Sequence, residues 1–142
     1  MKLLHLLTEK INKERYLSLL KREMDYDEEE AKEVLNDIID SVKNLPEEIK
    51  LFRIIHVDNK EDINTEQLGS HYSTNKKDLL NSHSFADGIG DQSFLITVLS
   101  PKKLVDVGET IYNNVLYPHE NEVTLKNKGK GVKIVSIRKI KE

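Results

Sequence analysis

The spacing of hydrophobic residues follows a helical period in the first third of the chain. Residues 1–24 carry leucine, isoleucine and methionine among charged residues without glycine or proline, which predicts one or two amphipathic helices with a break near Asn12. A clearer helix follows, with Asp27 suited to cap it and Glu30 three residues later in a variant of the capping box. The apolar positions of this helix lie three or four residues apart, opposite a charged face: Ala31, Val34, Leu35, Ile38, Ile39 and Val42. It should end at Leu45-Pro46, because proline disfavours helix in the residue before it.

From Ile49 onward the pattern changes to that of strands. Residues 49–57 are β-branched, aromatic and almost continuously apolar, which predicts a strand buried on both faces. Residues 93–99 predict a second such strand, stopped by Ser100-Pro101. Between them, residues 68–75 resemble a short strand closing in a polar turn, a helix can begin at residues 76–80, and residues 81–92 predict a flexible connection.

The last third of the chain predicts further strands. Residues 104–118 alternate weakly and contain Gly108, Asn113 and Asn114, which suggests a short strand followed by a structured loop. Residues 120–125 and 132–140 alternate between apolar and polar positions across the turn at 127–131, and are able to pair as a hairpin. Helices followed by a run of strands indicate an α+β domain and not a doubly wound sheet.

The length of 142 residues favours a single domain spanning residues 1–142, with a helical part at 1–46 and a mainly β core at 49–142. The net charge of −3 gives no global sign of a nucleic-acid coat or a membrane-surface protein. The apolar run at the start is broken by His5 and is too short for a signal or a membrane span, so no membrane association is expected.

Cysteine is absent, which rules out disulfides, thiolate metal sites and a thiol nucleophile. A chain without cysteine is compatible with a reducing compartment, and a cytoplasmic location is expected. The five histidines lack the spacing of metal ligands, so no metal is predicted.

Two carboxylates, Glu120 and Glu122, stand two residues apart at the start of an apolar alternation. If the strand already runs through both, their side chains leave from one face and each raises the pKa of the other, which is more typical of a site than of packing. The alternative is a solvated strand start, since surface glutamates are common.

Arg53 is the anomaly of the first strand. A guanidinium cannot lose its charge, so within an apolar strand it must find a carboxylate or a phosphate. One interpretation is an arginine paired with a structural acid, and the other is an anion clamp.

An arginine in the first strand, a Ser-Thr pair ending the second and Glu-x-Glu at a later strand follow one another in the chain. This order resembles the arginine, serine-threonine-serine, glutamate pattern of the mono-ADP-ribosyltransferases, and residues 105–125 also look like the turn-turn loop of that family. The resemblance covers about residues 49–140. It implies an α+β fold in which amino-terminal helices pack on a split β-sandwich of the ADP-ribosyltransferase type.

The resemblance also implies roles for individual residues. Glu122 would be the catalytic glutamate that stabilises an oxocarbenium-like ribose, and Glu120 would be the acceptor-side residue typical of arginine-modifying members. Arg53 would contact the phosphates of NAD, and Ser73 and Thr74 would form the middle element.

Three further positions bear on the resemblance. Gly69 and His71 precede the Ser-Thr pair and are placed by the resemblance along that groove, although His71 is as well explained as an ordinary partly buried histidine. Asn75 departs from the pattern, because the family usually has a second serine there. Asparagine can still donate and accept hydrogen bonds but is bulkier.

The resulting hypothesis is an NAD-dependent mono-ADP-ribosyltransferase of the kind found in bacteriophages or bacterial effectors, acting in the cytoplasm of a host if it is phage-encoded. NAD would be its substrate, and the acceptor would be a protein side chain, with arginine favoured. The alternative is a non-catalytic protein-binding inhibitor or effector on the same fold, with the acidic helix at residues 27–43 as its docking face. Nucleic-acid binding by the basic carboxyl-terminal strand is disfavoured, because a half-solvated hairpin explains its alternation.

Overall fold

The computed structural model describes residues 2–81, 91–117 and 121–140. Among these, four α-helices are formed: α1 (Lys2–Glu23), α2 (Glu28–Lys43), α3 (Lys76–Asn81) and α4 (Val107–Leu116). The described strands are β1 (Glu48–Val57), β2 (His71–Ser73), β3 (Gln92–Pro101), β4 (Glu122–Thr124) and β5 (Lys133–Lys139). The predicted α+β class is therefore confirmed.

The chain forms two compact units. The helical unit comprises Met1–Leu45 and Val107–His119, and the sheet unit comprises Pro46–Asp106 and Glu120–Glu142. This division differs from the expected one, in which the helical part ended at residue 46, because the segment containing α4 returns to the amino-terminal helices.

The helical unit is held together by one apolar cluster contributed by α1, α2 and α4. Tyr16 also donates a hydrogen bond from its hydroxyl to the carbonyl of Gly108, at 3.0 Å. Among the described residues, no helix combines the length and the apolar character needed to cross a membrane. The buried members of the cluster are Tyr16, Leu20, Ala31, Leu35, Ile39, Val42, Ile111 and Val115.

Helix α2 forms as its sequence predicts. Asp27 lies in extended backbone just before it, and its carboxylate accepts a hydrogen bond from the Glu30 N–H at 2.9 Å. This bond satisfies one of the N–H groups that the first turn of a helix leaves without an intrahelical partner.

Two predictions are wrong at positions where the structure forms helices. Helix α1 continues without interruption from Lys2 to Glu23, so the break near Asn12 does not occur. Where a strand and a loop were predicted, residues 107–116 form α4, preceded by a short 3₁₀ turn at Lys102–Leu104 and an isolated β-bridge of Val105 with Leu125; Pro118 lies outside the described residues. Ile111 and Val115 lie four residues apart and are both buried, so the helical period was present there.

The strands form one antiparallel sheet in the order β4-β2-β1-β3-β5. Its centre is the pairing of β1 with β3, which runs without a break from Glu48↔Pro101 to Val57↔Gln92. The strands predicted at residues 49–57 and 93–99 are confirmed, although β3 continues through Pro101. Proline is tolerated at that terminal pair because only one ladder N–H is lost there.

The predicted hairpin of the last two strands is wrong. β4 pairs with β2 and β5 pairs with β3, so the two lie at opposite edges of the sheet. A 3₁₀ turn at Lys126–Gly129, with Asn127 and Lys128 in the left-handed region, follows β4. Alternation along a strand specifies its faces but not its partner, and β3, which is buried over most of its length, has β1 on one side and β5 on the other.

Candidate functional site

Glu122 is the first residue of β4 and lies directly opposite Ser73 of β2, which in turn lies opposite Phe52 of β1. Residues directly opposite one another in an antiparallel pair have their side chains on the same face. His71 and Thr124 form another pair of the same ladder, two residues along. Because side chains alternate with a period of two, they share that face, and we call it the Glu122 face.

The carboxylate of Glu122 is fixed through one of its oxygens. Oε2 accepts a hydrogen bond from the hydroxyl of Thr124 at 3.1 Å and lies 3.1 Å from Nδ1 of His71. The side chain of Glu122 is 14% exposed and that of His71 is 56% exposed. The carboxylate is therefore oriented by neighbours while still reachable from solvent.

Ser73 closes the turn that follows β2. Its hydroxyl donates to the carbonyl of Asn75 and accepts from the N–H of Asn75, each at 3.1 Å. The residue is buried. Ser73 therefore ties the end of β2 to the start of α3 at the position directly opposite Glu122.

Asn121, the middle residue of Glu-x-Glu, connects β4 to this turn. Its carbonyl accepts a hydrogen bond from the N–H of Thr74 at 3.0 Å, and its side-chain amide donates to Asp78 of α3 at 2.8 Å. The side chain of Asn75 accepts a hydrogen bond from the N–H of Asp78 at 3.0 Å and so serves as a helix cap. These bonds set the point at which β4 begins.

The backbone of Asn121 is in the left-handed region, with φ +49°, and β4 begins only at Glu122. The one-face argument for the two glutamates required a strand running through both, and that premise is wrong. Glu120 lies outside the described residues, so its acceptor-side role stays a prediction.

Arg53 belongs to the other side of the sheet. It follows Phe52 in β1, whose pairing with β3 is regular throughout, so its side chain leaves the face opposite to Glu122. The guanidinium carbon lies 5.7 Å from the centre of the Tyr72 ring, and Nη1 donates a hydrogen bond to the carbonyl of His71. Only 7% of the residue is exposed.

Gly69 lies against this guanidinium. A Cβ at Gly69 would stand 2.5 Å from Nη2 of Arg53, and the backbone has φ +118°, where side chains are strained. The Gly69 N–H donates to the carbonyl of Lys128 at 3.0 Å. Gly69 therefore leaves room for Arg53, and its geometry is explained by packing.

Tyr72 completes the packing around Arg53. Its ring is buried, and its hydroxyl lies so close to Gly129 that a Cβ there would clash with it. Burial raises the pKa of Tyr72 to about 12, against a smaller opposing effect of the Arg53 charge.

The structure thus brings together Glu122, His71 and Ser73, with Thr74 joined to β4 through Asn121, and it separates Arg53 and Gly69 from them. The sequence did not single out Thr124 or Asn121. Thr124 could have been found, because it lies two residues after Glu122 on a strand, whereas the role of Asn121 depends on a tertiary contact with Asp78. In the described parts of the chain, no group of three histidine, aspartate or glutamate side chains is arranged to hold a metal ion.

Comparisons of the chain with protein-family models, with curated proteins and with solved structures found no match. The function must therefore be argued from the residues of the Glu122 face and their geometry.

Proposed function

We propose that this chain is an NAD-dependent mono-ADP-ribosyltransferase that modifies a protein side chain, with arginine as the expected acceptor and Glu122 as the catalytic carboxylate. The observation that carries the proposal is the direct pairing of Glu122 with Ser73 on neighbouring strands. The sequence resemblance pairs these two residue types in one site, although they lie 49 positions apart in the chain. The ADP-ribosyltransferase type of split β-sandwich is part of the same proposal.

The chemistry requires a carboxylate held at a fixed position. As the bond between the nicotinamide nitrogen and the ribose C1′ breaks, positive charge develops on the ribose and nicotinamide leaves with the bonding electrons. A carboxylate that accepts a hydrogen bond from the 2′-hydroxyl stabilises that charge. The acceptor nitrogen then bonds to C1′ and loses a proton. The oriented, partly exposed carboxylate of Glu122 suits this role.

The nicotinamide-ribose end of NAD fits the residues of the Glu122 face better than the diphosphate fits Arg53. To reach a diphosphate held beside Glu122, the guanidinium would have to leave Gly69 and the Tyr72 ring. The predicted phosphate contact of Arg53 stays a prediction, and no step of the mechanism passes through it. The observed position gives Arg53 a supporting role, because it holds the backbone of His71.

A non-catalytic binding protein is the second candidate. The burial of Arg53 and the use of Asn75 as a helix cap favour it, since both positions depart from the pattern of an active enzyme. NAD that binds only the folded chain must raise the melting temperature, so a thermal-shift measurement separates the two candidates. The transferase should be stabilised by NAD, and the binding protein should not.

The direct test measures nicotinamide release and transfer of labelled ADP-ribose to proteins of a cell extract. Glu122→Gln keeps the shape and removes the charge, so we expect transfer to fall by about 100-fold or more. Glu66→Gln makes the same chemical change at an exposed glutamate of the sheet unit and should behave as wild type. Full activity of Glu122→Gln would disprove the site, and absence of transfer and nicotinamide release by the wild-type chain would disprove the function.

A further inference from the structure

His71 and Thr124 both contact Oε2 of Glu122, at 3.1 Å each. Two contacts on one oxygen fix the rotation of the carboxylate plane and so determine the direction in which Oε1 points. Thr124 is buried on the same strand as Glu122, whereas His71 reaches Oε2 from the neighbouring strand.

His71 is itself held from the opposite side of the sheet. Its carbonyl accepts a hydrogen bond from Nη1 of the buried Arg53. The backbone that carries the imidazole is therefore tethered independently of the contact that the imidazole makes. A ring placed in this way serves orientation better than an unsupported exposed histidine would.

We propose that His71 is a positioning residue for Glu122: its Nδ1–H holds Oε2 and thereby directs the carboxylate toward the 2′-hydroxyl of the nicotinamide ribose. This inference rests on the proposed function and changes the expected role of His71, from lining the groove to acting through Glu122. An ionised carboxylate only accepts hydrogen bonds, so the proton of the contact must reside on Nδ1. The neutral ring is then the Nδ1–H tautomer.

Two substitutions at His71 distinguish the effect of its hydrogen-bond donor from the effect of its size. His71→Asn places an amide N–H close to the position of Nδ1, and His71→Leu has nearly the same shape as asparagine but no donor. Misplacing a catalytic group lowers the rate steeply, so we expect His71→Leu to reduce kcat for nicotinamide release about 10- to 100-fold. His71→Asn should restore most of that loss, and the KM for NAD should change little in either variant.

The outcomes distinguish this inference from the proposed function. If the wild-type chain is active but His71→Leu matches it, or His71→Asn is as impaired as His71→Leu, the positioning role is wrong and the function stands. If His71→Leu raised the KM for NAD at unchanged kcat, His71 would line the cofactor groove and would not position Glu122. If wild-type chain releases no nicotinamide from NAD, the function fails and the positioning role fails with it.

A spectroscopic measurement tests the contact itself. Nitrogen-15 NMR of the imidazole, recorded at alkaline pH, should show the Nδ1–H tautomer in the wild-type chain and its loss in Glu122→Ala. The same tautomer in both proteins would overturn the proposal, because Nδ1 would then be protonated for a reason other than Glu122.

Discussion

Arg53 and Glu122 lie on opposite faces of one sheet, although only β2 separates their strands. The row from Phe52 through Ser73 to Glu122 defines one face, and Arg53 follows Phe52 by a single residue. The arginine is linked to β2 through the backbone of His71 and through the ring of Tyr72. Its effect on a reaction at Glu122 should therefore pass through the stability and position of β2.

Substitution of Arg53 should destabilise the sheet unit. Arg53→Met removes the hydrogen bond to the His71 carbonyl and the contact with the Tyr72 ring, and we expect a loss of about 1–3 kcal/mol in the free energy of unfolding. Urea unfolding measures this loss, and Arg138→Met, at an exposed position of β5, is the control. Unchanged stability with a raised KM for NAD would instead identify Arg53 as a phosphate contact.

Alanine at Gly69 should be more harmful than alanine at Gly131. Both glycines have positive φ, at +118° and +104°, so both substitutions introduce backbone strain. Only the Cβ at Gly69 would meet the Arg53 guanidinium at 2.5 Å, whereas the one at Gly131 would meet a leucine methyl at an ordinary 3.5 Å. We expect Gly69→Ala to cost about 1–3 kcal/mol more in the free energy of unfolding. Equal losses of unfolding free energy in Gly69→Ala and Gly131→Ala would show that the Arg53 guanidinium moves aside at no cost.

The raised pKa of Tyr72 predicts a loss of stability in alkali. Below the ordinary value of 10.0 both the folded and the unfolded chain keep the phenol proton; between pH 10 and about 12 the unfolded chain releases it and the folded chain does not. The contribution of the Tyr72 phenol to the free energy of unfolding is therefore fully present below pH 10 and disappears as the pH rises toward about 12. Its full size is on the order of 2 kcal/mol.

Tyr72→Phe removes this titration. Within the described residues the Tyr72 hydroxyl has no hydrogen-bond partner, so the substitution should cost little at neutral pH. Urea midpoints measured from pH 8 to pH 11.5 should fall less steeply in Tyr72→Phe than in the wild type. Tyr117→Phe changes an exposed tyrosine and should retain the wild-type slope. If the urea midpoints of the wild type, Tyr72→Phe and Tyr117→Phe fell with pH at the same rate, the raised pKa of the Tyr72 phenol would be contradicted.

Asp27 predicts a loss of stability in acid. The Glu30 N–H is the main cause of its lowered pKa, below the ordinary 3.8, so the carboxylate stabilises the helical unit above that pH and loses this effect as the pH falls through the folded-state pKa. Asp27→Ala should lower the urea midpoint at pH 7, and the difference from wild type should shrink toward pH 2. Asp27→Asn keeps a capping oxygen without a titrating group and should show a flatter dependence on pH. If the urea midpoints of the wild type, Asp27→Ala and Asp27→Asn depended on pH in the same way, the Asp27 cap would have no role in acid stability.

The sequence was sufficient where one pattern extended over many residues, as the helical period does in α2 and the continuous apolar run does in β1 and β3. It failed at α4, where Gly108 and Asn113 obscured the spacing of Ile111 and Val115, and it did not identify the partners of the edge strands. The face of Arg53 relative to Glu122 was undetermined for a physical reason. Alternation groups Arg53 with Ile49 and Leu51, but which face Glu122 shares depends on the register of β1, β2 and β4. Glu122 could be found from its local pattern.

The contacts that orient Glu122 could be found only in part, because they join positions far apart in the chain. His71 and Glu122 are separated by 51 residues, and Asn121 and Asp78 by 43. Burial and periodicity report on neighbours within an element, whereas the register of β2 against β4 depends on the whole sheet unit. This is why the sequence placed His71 near a groove but not against the carboxylate.

The ladder between β2 and β4 contains only three residue pairs, whereas β1 and β3 share ten. Short ladders at a sheet edge open at a lower free energy than long central ones. We therefore expect the pairing between β2 and β4, which places Glu122 opposite Ser73, to open before the pairing of β1 with β3. The bonds from Asn121 to Thr74 and Asp78, together with the hold of Arg53 on His71, oppose that opening. We therefore expect the order around Glu122 to depend on these few hydrogen bonds more than on the length of the ladder.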